Sequence, residues 1–129
     1  PPVLGDLCFE FGAQRLVAAF SGQANQMPHA FPQFLIALDR WLGPSQEIVI
    51  AGDMALPQTK DFIEAVFERF IPNKIVLCKT AQVAADLSQI APYTTHLHII
   101  NGKPTAYVCR NFECLLPTND IHRVLKNLN

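Results

Sequence analysis

From Glu47 onward the hydrophobic pattern changes period, and that change restricts the fold more than any other feature of the chain. Three short apolar runs appear: Ile48-Val49-Ile50-Ala51, Lys74-Ile75-Val76-Leu77-Cys78 and Thr105-Ala106-Tyr107-Val108-Cys109. Unbroken apolar runs of this length, closed by turn residues such as Gly52-Asp53, are the pattern of strands buried on both faces. Between them lie segments of helical spacing. Phe62, Ile63, Val66, Phe67 and Phe70 make one stripe, with Thr59 placed to cap it and Pro72-Asn73 to end it. Val83, Ala84, Leu87 and Ile90 make a second stripe behind Thr80, and Ile121, Val124, Leu125 and Leu128 a third over residues 118–128. Residues 91–104 are irregular, apart from a short extended piece at His96–Ile100. Alternating strands and helices imply a parallel sheet with right-handed crossovers. The expected fold is therefore α/β: two N-terminal helices, then a three-stranded parallel sheet in order 2-1-3 with helices on both faces.

The first 45 residues are different. Residues 3–22 predict a helix ended by Ser21-Gly22, with apolar residues on two faces: Leu4, Leu7, Cys8 and Phe11 on one, Phe9, Ala13, Leu16, Val17 and Phe20 on the other. A helix apolar on two faces needs neighbours on two faces. A second helix opens at Pro32, carries Phe34, Leu35, Leu38, Trp41 and Leu42, and stops at Gly43-Pro44. The expected division is 1–45 for the helices and 46–129 for the α/β part. With 50% hydrophobic and only 16% charged residues in 129, the chain can fill a core and still leave apolar surface. The expected partner of that surface is the rest of a parent polypeptide, or a second copy meeting it through the helix faces.

Other partners are disfavoured. A net charge of -1 with no run of Lys or Arg offers no patch for nucleic acid. Residues 16–38 carry no Asp, Glu, Lys or Arg, but Gln23, Asn25, Gln26, His29, Gln33 and two prolines break the stretch that a membrane span would need. Four cysteines in a chain this long do not make a disulfide scaffold, which favours a reducing, cytoplasmic compartment.

Candidate chemistry lies in two places. Ligands of open α/β sheets bind outside the carboxyl ends of strands, which here means Gly52, Asp53 and Lys79. One glycine followed by Met54 and Leu56 is a poor phosphate cradle, and a turn with Asp53 bonded to local backbone is the simpler reading. The second place is Cys109-x4-Cys114. This spacing is neither a thioredoxin-like nor a zinc-knuckle Cys-x-x-Cys. It leaves three outcomes open: packing, a bridge across the loop, or a metal or redox pair with Arg110 and Glu113 beside it. His96 and His98 could add two ligands if a strand put both on one face, but nothing in the sequence forces the groups together, and a solvated surface pair is the simpler reading. No metal, no cofactor and no catalytic residue is assigned, Cys109 and Cys114 being the sole candidates for catalysis.

The strings Glu47-Ile-Val-Ile-Ala-Gly-Asp53, Phe70-Ile-Pro-Asn-Lys-Ile-Val76 and Pro104-Thr-Ala-Tyr-Val-Cys109-Arg-Asn-Phe-Glu-Cys114, with Thr59-Lys60 and Pro117 to Asp120, resemble the C-terminal end of the YyaL family. These are spermatogenesis-associated-type, thioredoxin-domain-containing proteins. The resemblance implies a much longer protein, with an N-terminal thioredoxin-like domain, an α/α-barrel of the six-hairpin, N-acylglucosamine 2-epimerase-like kind, and a terminal α/β part. Residues 3–43 would be the last helices of that barrel, and the α/β part a non-catalytic accessory domain. The family's redox cysteine pair belongs to the thioredoxin-like domain, and no residue here matches it.

Overall fold

The computed structural model describes residues 4–110 and 113–128, with side chains from residue 9 onward. Val3, the Cys8 side chain, Asn111 and Phe112 lie outside that description. The chain separates into two compact units, residues 1–43 and 44–129.

The first unit is helical. α1 spans Leu4–Gln26, a 3-10 turn spans Pro28–Ala30 and α2 spans Pro32–Leu42. The expected stop at Ser21-Gly22 does not occur. A Cβ placed on Gly22 would meet nothing within 4 Å beyond its own helix, and the helix runs through it. A mid-helix glycine costs only about 1 kcal/mol, whereas Pro28 cannot continue a helix. The last helical bond runs from Met27 N to Gln23 O at 2.9 Å. Phe20 packs its ring 6.4 Å from those of Phe31 and Phe34, and among the described side chains of this unit only Ala24 is buried.

The second unit is a mixed sheet. β1 is Gln46–Ala51, β2 Lys74–Lys79, β3 Thr105–Arg110 and β4 Glu113–Cys114, in sheet order β2-β1-β3-β4. β1 and β2 are parallel, but β3 is antiparallel to β1, and β4 is antiparallel to β3. This overturns the expected three-stranded parallel sheet. The cause lies in the segment that the period left unassigned. After β2 the chain passes through α4 (Ala84–Ile90) and a 3-10 turn (Pro92–His96), then reverses at Asn101-Gly102. Both residues have positive φ, 54° and 67°, and Ile100 bridges Lys103 across them. Paired positive φ values belong to the tight hairpin turn that Asn-Gly favours. Residues 97–100 thus bring the chain back to the carboxyl end of β1 before β3 begins, so β3 descends where a parallel strand would have risen.

The two faces of the sheet are covered differently. Ile48, Ile50, Ala106 and Val108 face α3 (Pro57–Glu68) and α5 (Ile121–Asn127), packing on Phe62, Val66, Val124 and Leu128. Val49, Ala51, Tyr107 and Cys109 face the other way, with Leu77 and Leu97 packed against them. Helix starts also differ from expectation. α3 opens at Pro57, which suits a first helical position, so Thr59 lies inside the helix and points into the core rather than capping it. α4 has no side-chain cap from Thr80. α5 starts at Ile121 because Thr118 is held in a bridge to Ala106; Asp120 caps it, accepting from His122 N at 2.9 Å.

A lysine at the start of β2 fastens α3 to the sheet. Lys74 Nζ donates to Val66 O at 2.6 Å and Arg69 O at 2.5 Å, and sits 5.3 Å over the Phe67 ring. It satisfies carbonyls at the C-terminal end of α3 with a cation, where the helix dipole favours one. Burial holds its pKa below the ordinary lysine value.

Candidate functional site

The register of β3 and β4 decides what the cysteine motif is. Cys109 and Cys114 lie directly opposite each other, with Arg110 opposite Glu113. A directly opposed antiparallel pair brings Cβ atoms within about 4.5–5.5 Å, close to the range a disulfide needs. The sulfurs are bonded, with S–S 1.98 Å and Cα–Cα 3.8 Å. Of the three outcomes the spacing allowed, the bridge is the one the fold adopts. Neither sulfur is therefore a thiolate ligand or nucleophile in this state.

The two halves of the bond sit in different environments. Cys109 belongs to the buried strand and is 2% exposed, while both residues of β4 are exposed. On β1, Cys109 is paired with Glu47, so the carboxylate shares its face of the sheet. Tyr93 hydrogen-bonds Glu47; burial first, then that bond and the carboxylate charge, pushes the Tyr93 phenol well above its ordinary range. Arg110, adjacent in sequence, points to the opposite face and donates to Asn127 O at 2.6 Å, at the end of α5. It therefore does not stand over the sulfurs.

The residues at the strand ends are occupied by the fold. A Cβ on Gly52 would lie 2.7 Å from Thr59 Oγ1 and 3.3 Å from Pro104 Cβ, so this position requires glycine for close approach of α3 to the sheet. Asp53 Oδ1 accepts from Ala55 N at 2.9 Å, forming a local turn. Lys79 Nζ donates to Thr94 O at 2.6 Å, Thr95 O at 3.3 Å and Leu97 O at 2.8 Å. Its three donor positions are thus matched by three carbonyls, and it ties the 3-10 turn to β2. Beside it is an open depression of about 340 Å³ lined by Ala51, Thr80, Ala84, Leu97 and His98.

His96 ends the 3-10 turn instead of starting a strand, and His98 is fixed through its backbone, its N–H donating to Tyr107 Oη and its carbonyl accepting from it. Among the described residues no three His, Cys, Asp or Glu side chains come together as a metal group. Cys78 is a free thiol, half-buried, 3.5 Å from Met54 Sδ, and burial pushes its pKa up. The pattern did not reveal the network at Thr105. Its hydroxyl donates to Lys103 O and accepts from Ile100 N and Asn119 Nδ2, joining the Asn-Gly turn to the segment before α5. The Asn101-Gly102 dipeptide was the signal that could have found it.

Fold and site define a small α/β domain with a mixed sheet, carrying a disulfide-closed hairpin on one margin. The relatives are particular. Homologues of this chain are spermatogenesis-associated protein 20 of the thioredoxin-domain-containing family: the Homo sapiens protein is 32% identical and the Rattus norvegicus protein 30% identical, each over 81% of this chain. An uncharacterized protein of Caenorhabditis elegans is 28% identical over 95% of the chain. The chain spans only 13% of the length of the two mammalian proteins and 15% of the nematode one. No family model matches the chain, and no solved structure matches it. Among the described residues no helix is long and apolar enough to cross a membrane.

Proposed function

We propose that this chain is a non-catalytic accessory domain of a larger protein, one with a thioredoxin-like domain and an α/α-barrel of the six-hairpin, sugar-epimerase-like kind. Its helical unit docks on the remainder of that polypeptide. One observation carries the reading: the helices leave several of their large apolar side chains in solvent. Phe9 is 82% exposed, Phe11 63%, Leu16 58%, Ile36 63% and Leu42 76%. Scattered exposed apolar residues are ordinary, but a group of this size on two helices marks a surface built for cover. Relatives several times longer than this chain supply a candidate for the covering segment.

The test compares the chain alone with the full-length parent by sedimentation and hydrophobic-dye binding. The chain alone is expected to self-associate or bind dye, and the parent to do neither. A chain that sediments as a single monomer and binds no dye would sink the docking reading.

A further inference from the structure

We propose that the Cys109–Cys114 bond is a thiol–disulfide exchange site, opened through Cys114 by a low-molecular-weight thiol. The inference is independent of how the helices dock.

Access selects the sulfur. Exchange needs a thiolate to approach one sulfur from the side opposite the other. Cys114 lies on an exposed two-residue strand, whereas Cys109 is 2% exposed and packed in the cluster of Val49 and Tyr107. Attack therefore falls on Cys114. The thiolate RS⁻ forms a bond to Cys114 Sγ as the Sγ–Sγ bond breaks, and the electron pair leaves on Cys109 Sγ, which takes a proton from water. A second RS⁻ then attacks the RS sulfur of the mixed disulfide, releasing RSSR, and the Cys114 thiolate is protonated. Two RSH are oxidised to RSSR, and the protein gains two electrons and two protons as a dithiol.

Position also makes the step reversible. Directly opposite Cys114, Cys109 is well placed to resolve a mixed disulfide there. The fold does not need the bond to hold β3. That strand pairs with β1 over six residues, and the margin keeps the Leu115 N to Val108 O bond at 2.9 Å and the bridge of Ala106 with Thr118. Opening the bond thus leaves the core shut. Cys78, half-buried with a raised pKa, serves as an internal control.

The experiment equilibrates the full chain in buffers of reduced and oxidised glutathione, quenches with acid, and maps each cysteine by differential alkylation and mass spectrometry. The 109–114 pair is expected to pass between bonded and dithiol forms, and back, as the glutathione ratio changes. Amide exchange in β1 and β3 should stay constant throughout. With oxidised glutathione, the Cys109→Ser variant should take up one glutathione at Cys114, at least about tenfold faster than Cys114→Ser takes one up at Cys109. Equal rates at the two positions would overturn the assignment. So would a wild-type bond that opens only together with loss of amide protection in β3, a result that needs no variant to fold.

Discussion

Thr59→Val should stabilise the chain, although it removes a polar group from a helix. Thr59 is fully buried in α3, and its hydroxyl finds no hydrogen-bond partner among the described residues. A buried hydroxyl without a partner costs about 1–3 kcal/mol of desolvation. Valine has nearly the same shape and nearly the same helix propensity, and it replaces that oxygen with a methyl worth about 0.8 kcal/mol when buried. The methyl is larger than the hydroxyl and faces Gly52, where the absence of a Cβ leaves room but little of it; we subtract about 1 kcal/mol for that crowding. The net expectation is about 1–3 kcal/mol of added stability. Urea unfolding of the full chain, followed by circular dichroism, reads this as a midpoint raised by about 0.5–1.5 M with unchanged slope. Thr59→Ser, which keeps the hydroxyl and loses the methyl, should lower the midpoint. A lowered midpoint for Thr59→Val would refute the reasoning, because it would mean that the hydroxyl is satisfied in the folded chain.

Three further outcomes follow from the same contacts. Gly52→Ala should cost about 1–3 kcal/mol through overpacking against Thr59 and Pro104, and the cost should shrink in a Thr59→Ala background; an equal cost in both would deny the contact. Lys79→Met should cost about 2–3 kcal/mol by stranding the carbonyls of Thr94, Thr95 and Leu97, and faster amide exchange at Leu97 and His98 would locate the loss. The raised Tyr93 pKa lends stability that is present below the phenol's ordinary value of 10.0 and is lost as pH rises through the folded value. Stability should therefore fall above about pH 10 more steeply in the wild type than in Tyr93→Phe; parallel curves would exclude Tyr93 as the cause.

Much of the local architecture was legible in the residues. The apolar runs at Ile48–Ala51, Ile75–Cys78 and Ala106–Cys109 each became the body of a strand, and the stripe of Phe62 and Val66 became the inner face of a helix. Such signals are local: a run of side chains reports its own burial and period. Asp53 likewise kept its simpler role, because its turn is made with a residue two positions away. Lys79 had no such local signature. Its partners lie 15 to 18 residues further on, and only the 3-10 turn brings their carbonyls around it.

The cysteine motif shows the same division. Sequence alone placed Cys109 in a buried strand and Cys114 just beyond it, and could go no further than a choice among packing, bridging and ligation. Strand direction and register made the choice, and neither is a property of a single segment. Two residues of positive φ at Asn101-Gly102 turn β3 antiparallel, and the hairpin at its end sets Cys114 opposite Cys109. A one-residue slip would have put the two side chains on opposite faces. Composition and period therefore determined which residues would be strand, helix and core, while tertiary pairing alone decided that two of the cysteines would meet.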